Sequence, residues 1–308
     1  GIDITHPDLN VVGGATFVLG TISYNDDNGH GTHCAGIVAA LDNAIGVVGV
    51  APEAALYAVK VLNKNGSGYL SDVVSGIEWC ISNSMQVISM SFGSTSDSAS
   101  LHAECDKAYT LGIVLVAAAG NSGPKENTMI YPAKYSSVIA VGATDSNDVV
   151  ASWSSRGPEL SVTAPGVSIY STYKGGAYGT MSGTSMACPH VTGTVALILA
   201  KATRTPAEVR DILQTTAVDL GSAGWDSAYG YGRIDAYVAL QKAVPSSPTA
   251  PSAPRNLQAT GGDSQVTLTW STPASNGGST IAQYNIYPGT SSGGQSSTPI
   301  GSVSGSTL

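Results

Sequence analysis

Three short segments carry residue types that together could cleave an acyl bond. Asn28 Gly29 His30 Gly31 Thr32 His33 sets an imidazole at a glycine-flanked helix start, where the ring can reach a cleft and act as a general base near neutral pH. Gly183 Thr184 Ser185 Met186 Ala187 Cys188 Pro189 His190 places Ser185 in the first turn of the most apolar helix of the chain. A serine there gains an open approach and the positive end of the helix dipole, and its own N–H can face a developing oxyanion. Between the two, Ala117 Ala118 Ala119 Gly120 Asn121 Ser122 Gly123 runs a buried strand into a glycine-framed Asn121, an amide donor for the same oxyanion. Taken singly, each has a plainer use: His30 as an ordinary helix-start histidine, Ser185 as an N-cap, Asn121 as a turn residue tolerant of the left-handed region.

Such groups need a frame to hold them. Between residues 56 and 168, short apolar runs alternate with helix-like stretches: Leu56 to Leu62, Val87 to Phe92, Ile113 to Ala119 and Val138 to Gly142. Strands apolar on both faces and separated by helices are what a parallel sheet buried on both sides requires. The fold class read from this is α/β, with a doubly wound, mostly parallel sheet. The pattern predicts helices over 30–41, 70–83, 98–111 and 185–202. The sharpest local signal is Thr205 Pro206 Ala207 Glu208, an N-cap, a proline at the first helical position and a capping-box glutamate, opening a helix to about Thr216.

Composition narrows the class further. Across 308 residues, 13 Lys plus Arg stand against 21 Asp plus Glu, a net charge of −8, so the basic stripe of a nucleic-acid binder is missing. The hydrophobic fraction of 42% excludes disorder driven by excess charge. No run of 18 apolar residues exists to span a membrane as a helix. Cys34, Cys80, Cys105 and Cys188 are too few and too scattered for a disulfide scaffold, and no CxxC spacing suggests zinc. Cys80 and Cys105 both fall on predicted helices and are open to bridging; Cys34 and Cys188 lie beside the chemistry-bearing residues and read equally as free buried thiols.

After Gln241 the composition changes. Residues 245–254 read Pro Ser Ser Pro Thr Ala Pro Ser Ala Pro, a semi-rigid extended linker. This divides the chain into a first domain over 1–243, a linker over 244–253 and a second domain over 254–308. In the last, Val266 Thr267 Leu268 Thr269 Trp270 alternates at period two, Tyr284 Asn285 Ile286 Tyr287 repeats the pattern, and Asn276 Gly277 Gly278 reads as a turn between them. That is the start of a β-sandwich, in about half the ~100 residues such a domain needs.

The segments around His30, Asn121 and Ser185 resemble the signature blocks of the subtilisin family of serine peptidases. Agreement extends to His6 Pro7 Asp8 Leu9, to Gly46 Val47 Val48 Gly49 Val50 Ala51 Pro52, to Ser154 Ser155 Arg156 Gly157 Pro158 and to Ala164 Pro165 Gly166, covering 1–243. The resemblance implies Ser185 as nucleophile, His30 rather than His33 as general base and then acid, and Asn121 with the Ser185 N–H as oxyanion hole. It implies a triad Asp in an Asp-(Thr/Ser)-Gly tripeptide whose Gly matches Gly1, so that this Asp lies upstream of the chain and Asp3 is not its equivalent. The chain as given is therefore expected to be inactive or severely impaired.

Substrate contacts are expected from glycine-bearing strand ends, Gly66 Ser67 Gly68 and Ser91 Phe92 Gly93, which can offer backbone N–H and C=O groups to an extended peptide. Ala118, Ala119 and Gly120 leave room for a P1 side chain above Ile130, which resembles the pocket floor; an uncharged floor favours apolar P1 residues, Leu, Phe or Tyr over Lys or Asp. The loop Leu41 Asp42 Asn43 Ala44 Ile45 Gly46 Val47 resembles the family's structural calcium loop, implying Asp8, Leu41, Asn43, Ile45 and Val47 as Ca²⁺ ligands. The tail from Pro254 Arg255 Asn256 Leu257 through Trp270 to Tyr287 resembles a fibronectin type III module. The reading is a secreted serine endopeptidase acting on protein or peptide substrates and made with an N-terminal propeptide. The alternative is a binding or scaffold protein on a catalytically dead fold of the same family. An esterase is disfavoured because Ser185 does not sit in a GxSxG elbow.

Overall fold

Every residue of Val114–Ala118 is buried, because both faces of this strand are covered by helices. A computed structural model of the chain describes residues 1–244, 250–276, 280–291 and 294–306, in two compact units, Gly1–Val244 and Pro245–Leu308. The first unit runs β1 (Val11–Thr16), α1 (His30–Ala39), β2 (Leu56–Lys60), α2 (Leu70–Ser82), β3 (Val87–Met90), α3 (Ala99–Thr110), β4 (Val114–Ala118), β5 (Val138–Thr144), β6 (Leu160–Pro165), β7 (Ile169–Tyr173), β8 (Ala177–Met181), α4 (Thr184–Lys201), α5 (Pro206–Thr216) and α6 (Ala236–Ala243).

Strands β3-β4-β5-β6 form a parallel four-stranded sheet. Side chains alternate across a strand, and the two faces feed separate cores. Val114, Val116 and Ala118 of β4 pack with Val191, Val195 and Ile198 of α4 and with Val209, Ile212 and Leu213 of α5. Leu115, Ala117 and the following Ala119 pack with Val73 and Ile77 of α2 and Leu101 and Ala108 of α3. This is the two-sided α/β layering expected from the sequence. The capping box also forms: Thr205 Oγ1 accepts from the Glu208 N–H, and the Glu208 carboxylate accepts from the Thr205 N–H at 2.8 Å.

β2 does not join that sheet. It pairs in parallel with β1 as a separate two-stranded sheet, and β7 and β8 form an antiparallel hairpin. A cavity of about 1040 Å³ is lined by Leu56, Tyr57 and Val59 of β2, Val87 and Ile88 of β3, and further residues of α1 and α4, His30 among them. All four cysteines are free thiols, so the bridge left open for Cys80 and Cys105 is not made. Both are buried in the core under α2 and α3, and burial pushes each thiol up to about 12.

The second unit holds two antiparallel hairpins, β9 (Arg255–Gly262) with β10 (Gln265–Ser271) and β11 (Gln283–Ile286) with β12 (Gly301–Ser304). Trp270 meets Tyr284 edge-on at 5.3 Å between ring centroids. None of its described residues is buried. Gly277 and Gly278 of the expected turn, and residues 245–249 of the linker, lie outside the described residues.

Candidate active site

Asp26 decides where His30 stands. Its Oδ1 accepts from the N–H groups of Asn28 and Gly29 at 2.8 and 2.9 Å, and its Oδ2 from the Thr32 N–H and hydroxyl at 2.9 and 2.6 Å. One buried carboxylate thus satisfies several donors at the start of α1, which helix geometry leaves without partners. Burial by itself raises the Asp26 pKa; the hydrogen bonds from Thr32, Gly29 and Asn28 outweigh it and hold the carboxyl below its ordinary value. Gly29 adopts φ +113°, and a Cβ there would meet the Tyr173 ring at 2.3 Å, so both the turn and the close approach require glycine. Lys60, at the end of β2 and almost fully buried, pairs with Asp27 at 2.5 Å and donates to the Asn25 carbonyl, pinning the same loop. Sequence reading passed over Asp26; the available signal was an Asp four residues before a glycine-flanked His.

His30 opens α1, half-buried, with its N–H on Asn28 Oδ1 at 3.1 Å. Desolvation lowers its pKa, with the Asp26 charge opposing, which favours the neutral imidazole a general base needs. One turn on, the Cys34 thiol lies 3.9 Å from His30 Nδ1 and donates to the Ser185 carbonyl at 3.3 Å. Ser185, in the first turn of α4, donates its hydroxyl to the Ser91 carbonyl at 3.1 Å, while the Ser91 hydroxyl donates to the Ser185 carbonyl at 2.9 Å. His30 and Ser185 are thus brought to one place through Cys34, with the Ser185 hydroxyl resting on Ser91. The other histidines of this region are structural. His33 is fully buried, its Nε2 at 3.1 Å from the Ile169 and Gly179 carbonyls, and His190 donates Nδ1–H to Met186 O at 2.9 Å.

Asn121 follows β4 and is held by one end. Its Oδ1 accepts from the Thr184 N–H and hydroxyl, both at 3.0 Å, and Thr184 Oγ1 in turn accepts from the Gly120 N–H at 3.1 Å. That fixes the amide so that Nδ2 points toward Gly183: a Cβ built on Gly183 would lie 3.5 Å from Asn121 Nδ2 and 3.6 Å from the Ser185 nitrogen. Two donor nitrogens therefore lie within 3.6 Å of one point on the open side of Gly183.

The expected peptide-binding stretches flank this point unequally. Ser67 spends its N–H and carbonyl on Asn63, and Gly66 its N–H, inside one tight turn. The expectation of open backbone groups along Gly66 Ser67 Gly68 is thus narrowed to the Gly66 carbonyl and Gly68. On the other side the Ser91 carbonyl is taken by Ser185, and Ser94 exchanges two hydrogen bonds with Tyr131 at 2.8 and 2.9 Å. Ile130 donates its N–H to the Ala119 carbonyl at 3.0 Å, tying the proposed floor to the Ala118–Gly120 wall.

The loop over 41–47 closes on Asp8. Asp8 is fully buried; its Oδ1 accepts from Asn43 Nδ2 at 2.8 Å, its Oδ2 from the Val47 N–H at 3.1 Å and the Tyr178 hydroxyl at 3.2 Å. Among the described residues no Lys or Arg pairs with it. A buried carboxylate met only by neutral donors is short of positive charge, and the oxygen-only set of Asp8, Asn43 and the Leu41, Ile45 and Val47 carbonyls fits a hard cation.

Comparison with known proteins gives the family. The Subtilase family profile matches residues 1–232. The chain is 57% identical over 244 residues to Subtilisin DY of Bacillus licheniformis, covering 78% of this chain and 88% of the relative. It is 56% identical over 245 residues to Subtilisin of Bacillus pumilus, covering 78% and 88%. Against Subtilisin E of Bacillus subtilis (strain 168) it is 56% identical over 245 residues, 78% of this chain and 64% of that relative. With a profile match over most of its length and relatives this similar, the chain belongs to the subtilase family of serine endopeptidases.

Proposed function

We propose that the protein is a secreted serine endopeptidase in which Ser185 is the nucleophile, His30 the general base and then acid, and Asn121 Nδ2 with the Ser185 N–H the oxyanion hole. The observation that carries this is that Asn121 Nδ2, oriented by the bonds of its Oδ1 to Thr184, and the Ser185 nitrogen lie against the same open side of Gly183. In the reaction the Ser185 hydroxyl leaves the Ser91 carbonyl, passes its proton to His30 and attacks the scissile carbonyl. The oxyanion forms against donors already in place, where preorganised hydrogen bonds are most effective. His30 then protonates the leaving amine, and water, activated by the same imidazole, releases the acyl group.

The orienting Asp of the triad is assigned to a segment upstream of Gly1. Two features favour this. Among the described residues His30 Nδ1 lies against the Cys34 thiol and bonds to no carboxylate, and His30 borders the cavity between β2 and β3, whose apolar lining would suit a further parallel strand. The chain as given would then lack its full activity. The decisive experiment is covalent labelling of the full-length protein with a fluorophosphonate: an adduct on Ser185 is expected, and folded protein without one sinks the reading. The rival reading, a dead-enzyme scaffold, is favoured by no feature of the site.

Calcium would be held by Asp8, Leu41, Asn43, Ile45 and Val47, with Asn43 turned to present its oxygen, and would serve to neutralise the buried Asp8. At saturation near 100 Kd such a site adds about 2.7 kcal/mol, so EDTA is expected to lower the Tm of the full-length protein by roughly 5–10 °C. An unchanged Tm removes the site. Secretion and a propeptide follow the family resemblance; among the described residues no helix is long and apolar enough to cross a membrane. The second unit is assigned as a partial fibronectin type III-like module that binds or spaces.

A further inference from the structure

Asparagine followed by glycine is the dipeptide step most open to attack on itself, because glycine has no Cβ to shield its backbone nitrogen. The chain has three such steps, Asn28 Gly29, Asn65 Gly66 and Asn276 Gly277. The last runs into residues outside those described. The other two stand in opposite conditions.

Asn28 is held at every point that the reaction would have to move. Its Nδ2 donates to the Lys64 carbonyl at 2.9 Å and its Oδ1 accepts from the His30 N–H at 3.1 Å. The nitrogen that would attack it belongs to buried Gly29 and is bonded to Asp26 Oδ1 at 2.9 Å. Asn65 has none of these restraints. It lies with Gly66 in the exposed part of the turn over 63–67, and among the described residues its side-chain amide makes no hydrogen bond. The Gly66 N–H is bonded to the Asn63 carbonyl at 2.9 Å, in a water-exposed turn of the kind that opens readily. A Cβ placed on Gly66 would meet only Asn28 Nδ2, at 3.8 Å, so the space beside this residue is open. Gly66 has φ +74°, which favours glycine, and the reactive step therefore comes with the turn itself.

We propose that Asn65 is a deamidation site, and that its conversion to isoaspartate impairs the protein by releasing Asn28 and, through it, the backbone of His30. In the reaction the Gly66 nitrogen forms a bond to Asn65 Cγ, and the side-chain nitrogen leaves as ammonia with the proton that Gly66 gives up. Water then opens the cyclic imide. Opening at Cγ leaves an ordinary aspartate; opening at the main-chain carbonyl leaves isoaspartate, whose backbone runs through Cβ and Cγ and is longer by one carbon. That carbon falls inside a tight turn, where Asn63 Oδ1 accepts from the Asn65 and Ser67 N–H groups at 2.9 and 3.3 Å and the Asn63 N–H donates to the Ser67 carbonyl at 2.8 Å. The Lys64 carbonyl belongs to the same turn, so its hold on Asn28 is displaced with it, and Asn28 in turn carries the His30 N–H. The modification stands by itself; its effect on cleavage rests on the peptidase reading.

The test uses the full-length protein. A Ser185→Ala sample, chosen to prevent self-digestion, is aged at mildly alkaline pH, mapped by mass spectrometry and labelled with an isoaspartyl methyltransferase. Conversion at Asn65 is expected at least about 10-fold faster than at Asn28, because each hydrogen bond that must open first slows the attack several-fold. Active protein is aged in parallel, and kcat/KM is expressed per Ser185 titrated by a fluorophosphonate. The isoaspartate form, separated by ion-exchange chromatography, is expected to lose about 10- to 100-fold, the scale for a small displacement of catalytic groups. Asn65→Gln is expected to start at the wild-type rate and to keep it on ageing. Freshly made Asn65→Asp, which adds the charge without lengthening the chain, should also start near the wild-type rate. Absence of isoaspartate at 65, or conversion at 28 that keeps pace with it, overturns the site. Isoaspartate at 65 with kcat/KM per titrated serine unchanged overturns its effect on His30. Folded, unaged protein that forms no adduct sinks the peptidase reading, and the mass map still decides the modification separately.

Discussion

Replacement of Ser185 by alanine in the full-length protein is expected to lower kcat by about 10⁶-fold, the scale measured on a subtilisin itself, and adding His30→Ala is expected to cost almost nothing more. The reason is that neither group works alone. Ser185 is a weak nucleophile until a base takes its proton, and the lowered pKa of His30 matters only for a hydroxyl within reach. The two share a third contact, since Cys34 lies against His30 Nδ1 and donates to the Ser185 carbonyl, so disturbing one disturbs the seat of the other. What survives in either variant is the contribution of Asn121, the Ser185 N–H and substrate binding, a residual ~10³–10⁴ over the uncatalysed rate. Steady-state rates of the two single variants and the double variant decide it. If the losses multiplied instead of overlapping, the shared-unit reading of His30 and Ser185 would be wrong.

Asp26→Ala is expected to destabilise the first unit by about 3–5 kcal/mol, the range for breaking a buried charged network. Its carboxylate closes hydrogen bonds with three residues at the start of α1, and alanine would strand those donors in a buried site. Asp26→Asn should recover part of the loss, since one amide oxygen can still accept. The dependence on pH has a definite sign. Because the folded carboxyl is held below its ordinary value, its contribution is present above the unfolded pKa of about 4 and is lost as pH falls through the folded one. Urea melts at pH 7 and near pH 3 should therefore show the gap between wild type and Asp26→Ala narrowing in acid. A gap under about 1 kcal/mol at pH 7 would show that the loop is held by the Lys60–Asp27 pair instead.

The parts of the molecule that were legible in sequence are those where one physical rule dominates. Val114–Ala118 is apolar at every position because both its faces are covered, and Thr205 Pro206 Ala207 Glu208 spells its own hydrogen bonds. β6 escaped notice for the opposite reason. Ser161 and Thr163, which read as surface residues, are buried in it, and the strand ends in Pro165. The β7–β8 hairpin was hidden likewise, since Ser171 and Thr172 are buried donors to the His33 and Thr32 carbonyls. α6 has only 8 residues, too short for a clear period.

At the site, His30, Ser185 and Asn121 were visible as glycine-framed polar residues. Asp26 was not, because an aspartate before a helix is ordinary and its burial appears only in three dimensions.

The split allegiance of β4 has a consequence for how the first unit comes apart. Its alternate side chains belong to different cores, so this one strand is a shared wall, and neither core can open without stripping a face from it. The same strand runs directly into Ala119, Gly120 and Asn121. Asn121 is thereby anchored to a strand that both cores hold: local fluctuations that loosen one helical layer are expected to leave it in place as long as the other layer still holds the strand.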